Sequence, residues 1–218
     1  MKKISISETI KNASPNIKLG VISGNVKFEK NNKSLWQEIK FEEKRISDLK
    51  IETIKDIPQI ASSREAYRAL GKEPARYRLS AEALMRRIIK GKSLYQISNI
   101  VDVINLSSIK TGYSIGGYDL SNIQGDILFD IGKKDEDYEA IGRGKMNIES
   151  LPVFRDDIGA FGSPTSDSVR TMITDKTSKI LLIVINFGGH KNFETDLQLI
   201  SDLIIRYCSG EDVVFEIL

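Results

Sequence analysis

Apolar residues at helical spacing give the first strong pattern in the chain. Leu84, Ile88 and Ile89 recur at this spacing, which predicts a helix with one face toward a core. Ser80 can cap the start of this helix through its side-chain hydroxyl. A second apolar stripe lies in residues 100–107, so we expect a second helix directly after the first.

A glycine pair follows the second stripe. After an expected turn at Thr111 and Gly112, the chain reads IGGYD over residues 115–119. Two adjacent glycines let a backbone approach a ligand closely, because no side chain stands in the way. The stretch therefore predicts a small-molecule site, and the alternative is a helical hairpin with a plain loop behind it.

Other apolar runs predict strands and further helices. The continuous run at 179–185 is typical of a strand buried on both faces. A charged turn at 132–137 indicates that 126–131 and 138–141 pair as a hairpin. We expect the remaining strands at 17–26, 151–154 and 213–218, and the remaining helices at 34–49, from Ser62 or Ser63 to Gly71, and from Asn192 to just before Gly210.

Composition narrows the chemistry that the chain can perform. Its 218 residues contain one cysteine, Cys208, and one histidine, His190. These counts exclude an internal disulfide framework and argue against a Cys- or His-based metal cluster and a Ser-His-Asp triad. We therefore expect no metal and no cofactor. No apolar run reaches the roughly 20 residues of a membrane span, and no signal peptide is evident, so we expect a cytoplasmic protein without a membrane partner.

Charge is unevenly distributed, although the formal net charge is only +2. Residues 64–92 contain nine Lys or Arg against three Glu, whereas residues 130–157 are acidic. Such asymmetry suits a protein that meets a polyanion on one face, and it equally suits an ordinary solvated surface. The cations that can contact nucleic-acid phosphates are Arg76, Arg78, Arg86, Arg87, Lys90 and Lys92, and such contacts would make binding depend steeply on salt. The tyrosines that can stack on a base are Tyr95, Tyr113 and Tyr118.

A second informative stretch, at 159–171, is rich in hydroxyl side chains. Hydroxyls and backbone amides in such a loop can hold an amino acid, a ribose or a water molecule. Asp167 can pair with a cationic amino group, and Arg170 can pair with a phosphate or a carboxylate. The alternative is a capped turn in which Ser166 or Asp167 opens a helical turn and Arg170 pairs across it.

Five short motifs occur in an order that is familiar from one family. They read RRIIKGK, NIVDVINLSS, GGYD, GRG and GSPTSDSVRT. Over roughly residues 60 to 208, this order resembles the tRNA-editing B3/B4 domain in the beta subunit of phenylalanyl-tRNA synthetase, and more closely the free-standing proteins made of that domain. The resemblance implies an α+β fold, with a mixed sheet flanked by helices around a concave pocket. We expect one domain over 1–218, in which 1–55 is a less well matched lead-in packed on the rest.

The resemblance also implies which residues form the pocket. The catalytic candidates are Asp167, Ser168 and Thr165, and the substrate-binding candidates are Asn105, Gly116, Gly117, Asp119, Ser163, Ser166 and Arg170. The bacterial synthetase domain commonly has a histidine where this chain has Gly116 or Gly117, so tyrosine specificity does not simply carry over. If the prediction holds, residues 105–119 and 159–171 line one cavity.

The function that the resemblance implies is hydrolysis of mischarged aminoacyl-tRNA by a protein acting in trans. An aminoacyl ester is activated, so a pocket can act by placing water beside the carbonyl and stabilising the oxyanion. The expected partner is the aminoacylated 3′ end of tRNA, with no DNA partner. One alternative is a module that binds tRNA or an amino acid without catalysis, and another is a small-molecule enzyme that reuses the pocket. The synthetase class motifs are absent, so we do not expect ligation of amino acids to tRNA.

Overall fold

The computed structural model describes residues 2–218 and has an α+β architecture. Its elements in chain order are β1 (Ile4–Ile6), α1 (Glu8–Ala13), β2 (Lys18–Asn25), α2 (Lys33–Ser47), α3 (Pro58–Ala69), α4 (Ser80–Ile89), α5 (Asn99–Thr111), β3 (Ile115–Asp119), β4 (Ile127–Ile131), β5 (Glu139–Ala140), β6 (Gly144–Lys145), β7 (Pro152–Arg155), β8 (Ala160–Gly162), β9 (Lys179–Asn186), α6 (Phe193–Tyr207) and β10 (Glu211–Ile217). Short 3-10 turns lie at Ile51–Asp56, Leu120–Asn122 and Val169–Thr171.

Two four-stranded sheets form the frame of the molecule. The first has the order β10-β2-β9-β3 and is antiparallel throughout. The second has the order β1-β4-β7-β8 and is mixed, because β1 pairs with β4 in parallel while the other pairs are antiparallel. The predicted α+β class, with a mixed sheet and flanking helices, is confirmed. Within residues 2–218, none of the helices is both long and apolar enough to span a bilayer.

Strand β9 connects the two halves of the core. Its side chains alternate between the two faces of the sheet, as the geometry of a strand requires. One set packs with the helices, and the other packs with the second sheet. The set that packs with the helices consists of Ile180, Leu182 and Val184. The set that packs with the second sheet consists of Leu181, Ile183 and Ile185. Because both faces are covered, the strand has the continuous apolar sequence that predicted it.

Helix boundaries follow local capping. The Ser98 hydroxyl accepts the Val101 N–H at the start of α5, and Gly112, with a φ of 79°, ends the helix in the left-handed conformation. Helix α4 differs from the prediction, because Leu79 precedes its first turn and Ser80 is already helical without a capping bond. Helix α3 begins earlier than expected, at Pro58, since proline is well accommodated at the first helical position.

One predicted strand pairing is wrong. Strand β4 does not pair with residues 138–141, because its neighbours are β1 and β7, whereas β5 pairs with β6. Tyr138 instead ties its segment to the hydroxyl-rich loop, since its hydroxyl donates to the Ser166 carbonyl at 2.7 Å. The glycine pair lies in a strand rather than in a loop: β3 forms the edge beside β9. This edge position places the pair next to the site described below.

Candidate functional site

A cavity of about 300 Å³ lies at the edge of the first sheet, between β3 and the start of helices α4 and α5. Its polar lining consists of Ser80, Asn105, Gly117 and Asp167. The rest of the wall is aliphatic, from α5, β3 and the surrounding loops. The cavity is therefore bordered by Asn105, Ile115 and Gly117 from residues 105–119 and by Asp167 from the hydroxyl-rich loop.

Asp167 is the one carboxylate among the residues that line this cavity. Its Oδ1 accepts a hydrogen bond of 2.9 Å from the Tyr118 hydroxyl and one of 3.3 Å from the Ser163 backbone N–H. Its Oδ2 accepts a longer bond, of 3.4 Å, from the Gly117 N–H. Three donors from two segments thus hold the carboxylate in a fixed orientation.

Burial changes the acidity of this group. Removal from water raises the pKa of Asp167 to about 7, and the bonds from Tyr118, Gly117 and Ser163 partly oppose that rise because they favour the charged form. Burial, reinforced by the charge of Asp167, also raises the pKa values of Tyr118 and Tyr138 above the usual range of a phenol. Asp167 can therefore take up or release a proton near neutral pH, while both tyrosines stay protonated.

The two glycines of the pair have different roles. A Cβ at Gly117 would overlap Cδ1 of Ile104 on the cavity side, so glycine keeps this part of the wall open. A Cβ at Gly116 would overlap the Tyr118 hydroxyl, which lies on the opposite face of β3. Gly117 lines the cavity, whereas Gly116 makes room for the Tyr118 hydroxyl behind it.

Most of the predicted hydroxyl residues stabilise their own loop. The Ser163 hydroxyl donates to the Ser166 carbonyl at 2.8 Å and accepts the Ser166 N–H at 3.0 Å. The Thr165 hydroxyl lies 2.9 Å from that of Tyr67, and the Ser168 hydroxyl accepts the N–H of the residue two positions later at 3.3 Å. None of these four loop residues belongs to the cavity lining. They hold the loop that carries Asp167.

Arg170 and Asp119 also lie outside the lining. Arg170 forms two bonds to Asp156, of 2.9 and 3.1 Å, and a third to the Gly159 carbonyl. Asp119 accepts bonds from the Thr177 hydroxyl at 2.8 Å and from the Ser121 N–H at 2.9 Å. Both side chains are occupied by protein partners, and their contacts are those of local structural residues.

The predicted cations separate into two groups. Arg86 binds the buried Glu82 at 2.8 Å, so it neutralises a charge inside the fold. Arg87 stacks over Tyr95, 3.8 Å from the ring centroid, and Tyr95 itself is 62% exposed. The other predicted cations, Arg76, Arg78, Lys90 and Lys92, are exposed. Of the three tyrosines, Tyr113 and Tyr118 are buried, which leaves Tyr95 available for stacking.

The sequence did not single out the aliphatic part of the site. Ile97, Ile141 and Met172 line the cavity and are 52%, 44% and 38% exposed, respectively. Each lies in a loop or turn, where a lone apolar residue gives no periodic signal. The cavity therefore has an apolar rim that is open to solvent. Among residues 2–218, no group of three or more His, Cys, Asp and Glu side chains is arranged to hold a metal ion.

Comparisons with other proteins bear on the family of the chain. No curated protein matches the sequence. Among solved structures, an N-terminal fragment of the phenylalanyl-tRNA synthetase beta subunit from Pyrococcus horikoshii is similar, with 15% identity and a TM-score of 0.47. That match covers 96% of this chain and 49% of the other, so this chain spans about half the length of the synthetase fragment. Residues 62–213 match the B3/4 domain, and the chain therefore belongs to the B3/4 domain family.

Proposed function

We propose that the protein is a trans-acting aminoacyl-tRNA deacylase, which hydrolyses the ester of a mischarged tRNA. The observation that carries the proposal is Asp167, a carboxylate with a pKa of about 7 in a small cavity with aliphatic walls. Family membership supports it, because the B3/4 domain resembles the editing part of a synthetase. The proposed partner is the aminoacylated 3′ end of tRNA.

Asp167 is the proposed general base. Its carboxylate accepts a proton from a water molecule, and the oxygen of that water attacks the carbonyl carbon of the ester. The tetrahedral intermediate collapses as the bond to the ribose oxygen breaks, and the proton passes to that oxygen. The products are a free amino acid and a tRNA with a free hydroxyl. A base with a pKa near the working pH is well suited to this transfer.

The cavity has the size and polarity for the aminoacyl group alone. Small-molecule sites typically occupy roughly 300–1,000 Å³, and this one, at about 300 Å³, lies at the lower limit. Aliphatic walls can bury a side chain and exclude bulk water, while Asn105 and Ser80 add an amide and a hydroxyl for the polar atoms of the substrate. The tRNA itself would remain outside the cavity, and we propose that exposed cations such as Lys90 and Lys92 contact its phosphates.

Other predicted residues receive revised roles in this proposal. Gly117 provides close approach of the backbone and one N–H donor to Asp167. Thr165, Ser168, Ser163 and Ser166 hold the loop, because their polar groups already bond within the protein. We do not assign a nucleophile to any of these hydroxyls.

The test is loss of label from a panel of mischarged tRNAs. We expect the unaltered protein to release at least one amino acid, and Asp167→Asn to lower the rate about 10²–10⁴-fold, the usual contribution of a general base. Asp157→Asn is the matched control, since Asp157 is an exposed carboxylate on the neighbouring turn. Equal rates for the protein with Asp167→Asn and the control would exclude Asp167 as the base.

A second candidate is a module that binds charged tRNA without hydrolysing it. The observation that favours it is that the loop hydroxyls bond within the protein and do not face the cavity. Asp167 is then the single ionisable group in the lining. This function predicts that charged tRNA is retained by the protein with its ester intact. The same panel separates the two functions, because binding without loss of label supports the module.

A further inference from the structure

We propose that Tyr118 is a positioning residue for Asp167, and that Gly116 and Gly162 are glycines because they leave room for its hydroxyl. The part of this inference that concerns hydrolysis rests on the proposed function. The part that concerns the carboxylate does not, since the orientation and acidity of Asp167 can be measured without a substrate.

Tyr118 approaches Asp167 from behind the cavity. Its side chain is fully buried between the two sheets. There the ring packs edge-on against Phe161, with centroids 4.9 Å apart and an angle of 89°, and against Phe154 at 6.4 Å and 69°. The aromatic contacts fix the ring, so the direction of the hydroxyl is fixed as well.

The two glycines form a slot for this hydroxyl. Gly116 lies two residues before Tyr118 on the same face of β3, and Gly162 ends β8 in the other sheet. A Cβ at either glycine would overlap the Tyr118 hydroxyl oxygen. Any other residue at these positions would displace the hydroxyl from its contact with Asp167. Both residues have an ordinary backbone conformation rather than a positive φ, so space is the reason for glycine.

The bond from Tyr118 is the strongest polar contact to the carboxylate. At 2.9 Å it is shorter than the bonds from Ser163 and Gly117, at 3.3 and 3.4 Å. The ionisable groups that face Asp167 are Tyr118 from β3 and Tyr138 from the segment before β5.

No cation compensates the carboxylate. In the part of the chain from residue 2 to 218, no lysine, arginine or histidine forms an ion pair with Asp167, and Arg170 is bound to Asp156. Tyr118 is therefore the main group that favours the charged form of Asp167, ahead of the two backbone donors. Without the Tyr118 hydroxyl, fewer hydrogen bonds oppose the effect of burial on the pKa of Asp167. That pKa therefore rises, and Asp167 becomes a weaker acid.

The decisive experiment compares Tyr118→Phe with Tyr138→Phe. Both substitutions remove one hydroxyl from a buried ring, but Tyr138 donates to the Ser166 carbonyl rather than to Asp167. The readout is a ¹³C titration of side-chain carboxyls, in which the Asp167 signal is the one missing from Asp167→Asn. We expect Tyr118→Phe to raise the midpoint of Asp167 by about one pH unit or more. We expect Tyr138→Phe to leave the midpoint nearly unchanged.

A second arm tests the slot and the reaction. Gly116→Ala keeps the Tyr118 ring and should reproduce the shift of Tyr118→Phe, and the acid limb of the deacylation pH profile should move in parallel. An unchanged Asp167 midpoint in folded Tyr118→Phe overturns the inference, and this variant decides the matter even if Gly116→Ala does not fold. If the unaltered protein hydrolyses no mischarged tRNA, the proposed function fails while the titration still tests Tyr118.

Discussion

Arg86 Nε lies 2.8 Å from Glu82 Oε1, one turn earlier on the same helix. The other oxygen of Glu82 lies 2.9 Å from Arg64 on helix α3, and Glu82 is 1% exposed. A carboxylate so deeply buried requires cationic partners, because an unpaired charge away from water is strongly unfavourable. Arg86 is therefore part of the fold, although its sequence context suggested a contact with tRNA.

The first prediction concerns this buried cluster. Arg86→Ala should lower the free energy of unfolding by about 1–3 kcal/mol, since Arg64 alone then neutralises Glu82. Urea denaturation measures the change. Lys90→Ala is the control: its side chain is exposed, and we expect a change within about 0.5 kcal/mol. Equal stability of the two variants would show that the Arg86 contact is dispensable.

The second prediction concerns two exposed cations that directly follow helix α4. Replacing Lys90 and Lys92 together by alanine should weaken tRNA binding and reduce the dependence of log Kd on log salt by about 0.7–0.9 for each phosphate that the protein then leaves unneutralised. Binding is measured at several salt concentrations. The matched control replaces Lys133 and Lys134, two exposed cations in the acidic segment. The assignment is wrong if both double variants have the same salt dependence.

The third prediction concerns the contact between Gly117 and Ile104. Gly117→Ala should destabilise the protein by about 1–3 kcal/mol, because the new methyl group meets Cδ1 of Ile104. Ile104→Val removes that atom, so the double variant should lose less stability than the sum of the two single changes. Chemical denaturation of all four proteins gives the coupling energy. Strict additivity would mean that the glycine is not required for space.

The fourth prediction follows from the acidity of Asp167. Its folded pKa, about 7, is higher than the value of about 3.9 for an unfolded aspartate. Between these values the folded chain binds a proton that the unfolded chain does not, so stability falls as the pH rises from about 4 to about 7 and is then level. We expect this fall to amount to about 1–4 kcal/mol. In urea titrations, Asp167→Asn should lack it, and a parallel decline in both proteins would contradict the assignment.

Regular elements were predictable where one face or both faces are buried. The stripe of Ile100, Val103 and Ile104 identified α5, and the unbroken run at 179–185 identified β9. Pairing was harder to predict. The segment from Tyr138 looked like the return of a hairpin from β4, yet its strand pairs with β6 directly after it. The Tyr138 hydroxyl bonds to the distant Ser166 carbonyl, and sequence periodicity contains no information about that contact.

The site was predictable as a location but not as a chemical surface. Of the predicted site residues, Asn105, Gly117 and Asp167 line the cavity. Ser163 and Asp119 have the residue types of a binding site, but both side chains form local bonds, which serine and aspartate favour. Asp119 also accepts a bond from the distant Thr177 hydroxyl. The apolar rim was not predicted. A lone Ile or Met in a loop gives no periodic signal, and such a residue is usually interpreted as part of the core.

The position of β2 has a consequence for how the chain acquires its structure. Both neighbours of this strand, β9 and β10, lie after residue 178. During translation, residues 18–25 therefore cannot form these strand pairs until residues 179–217 have left the ribosome. Long-range pairing of this kind slows folding and prolongs exposure to aggregation. Chains truncated before residue 179 are expected to remain dependent on chaperones rather than to form a smaller stable unit.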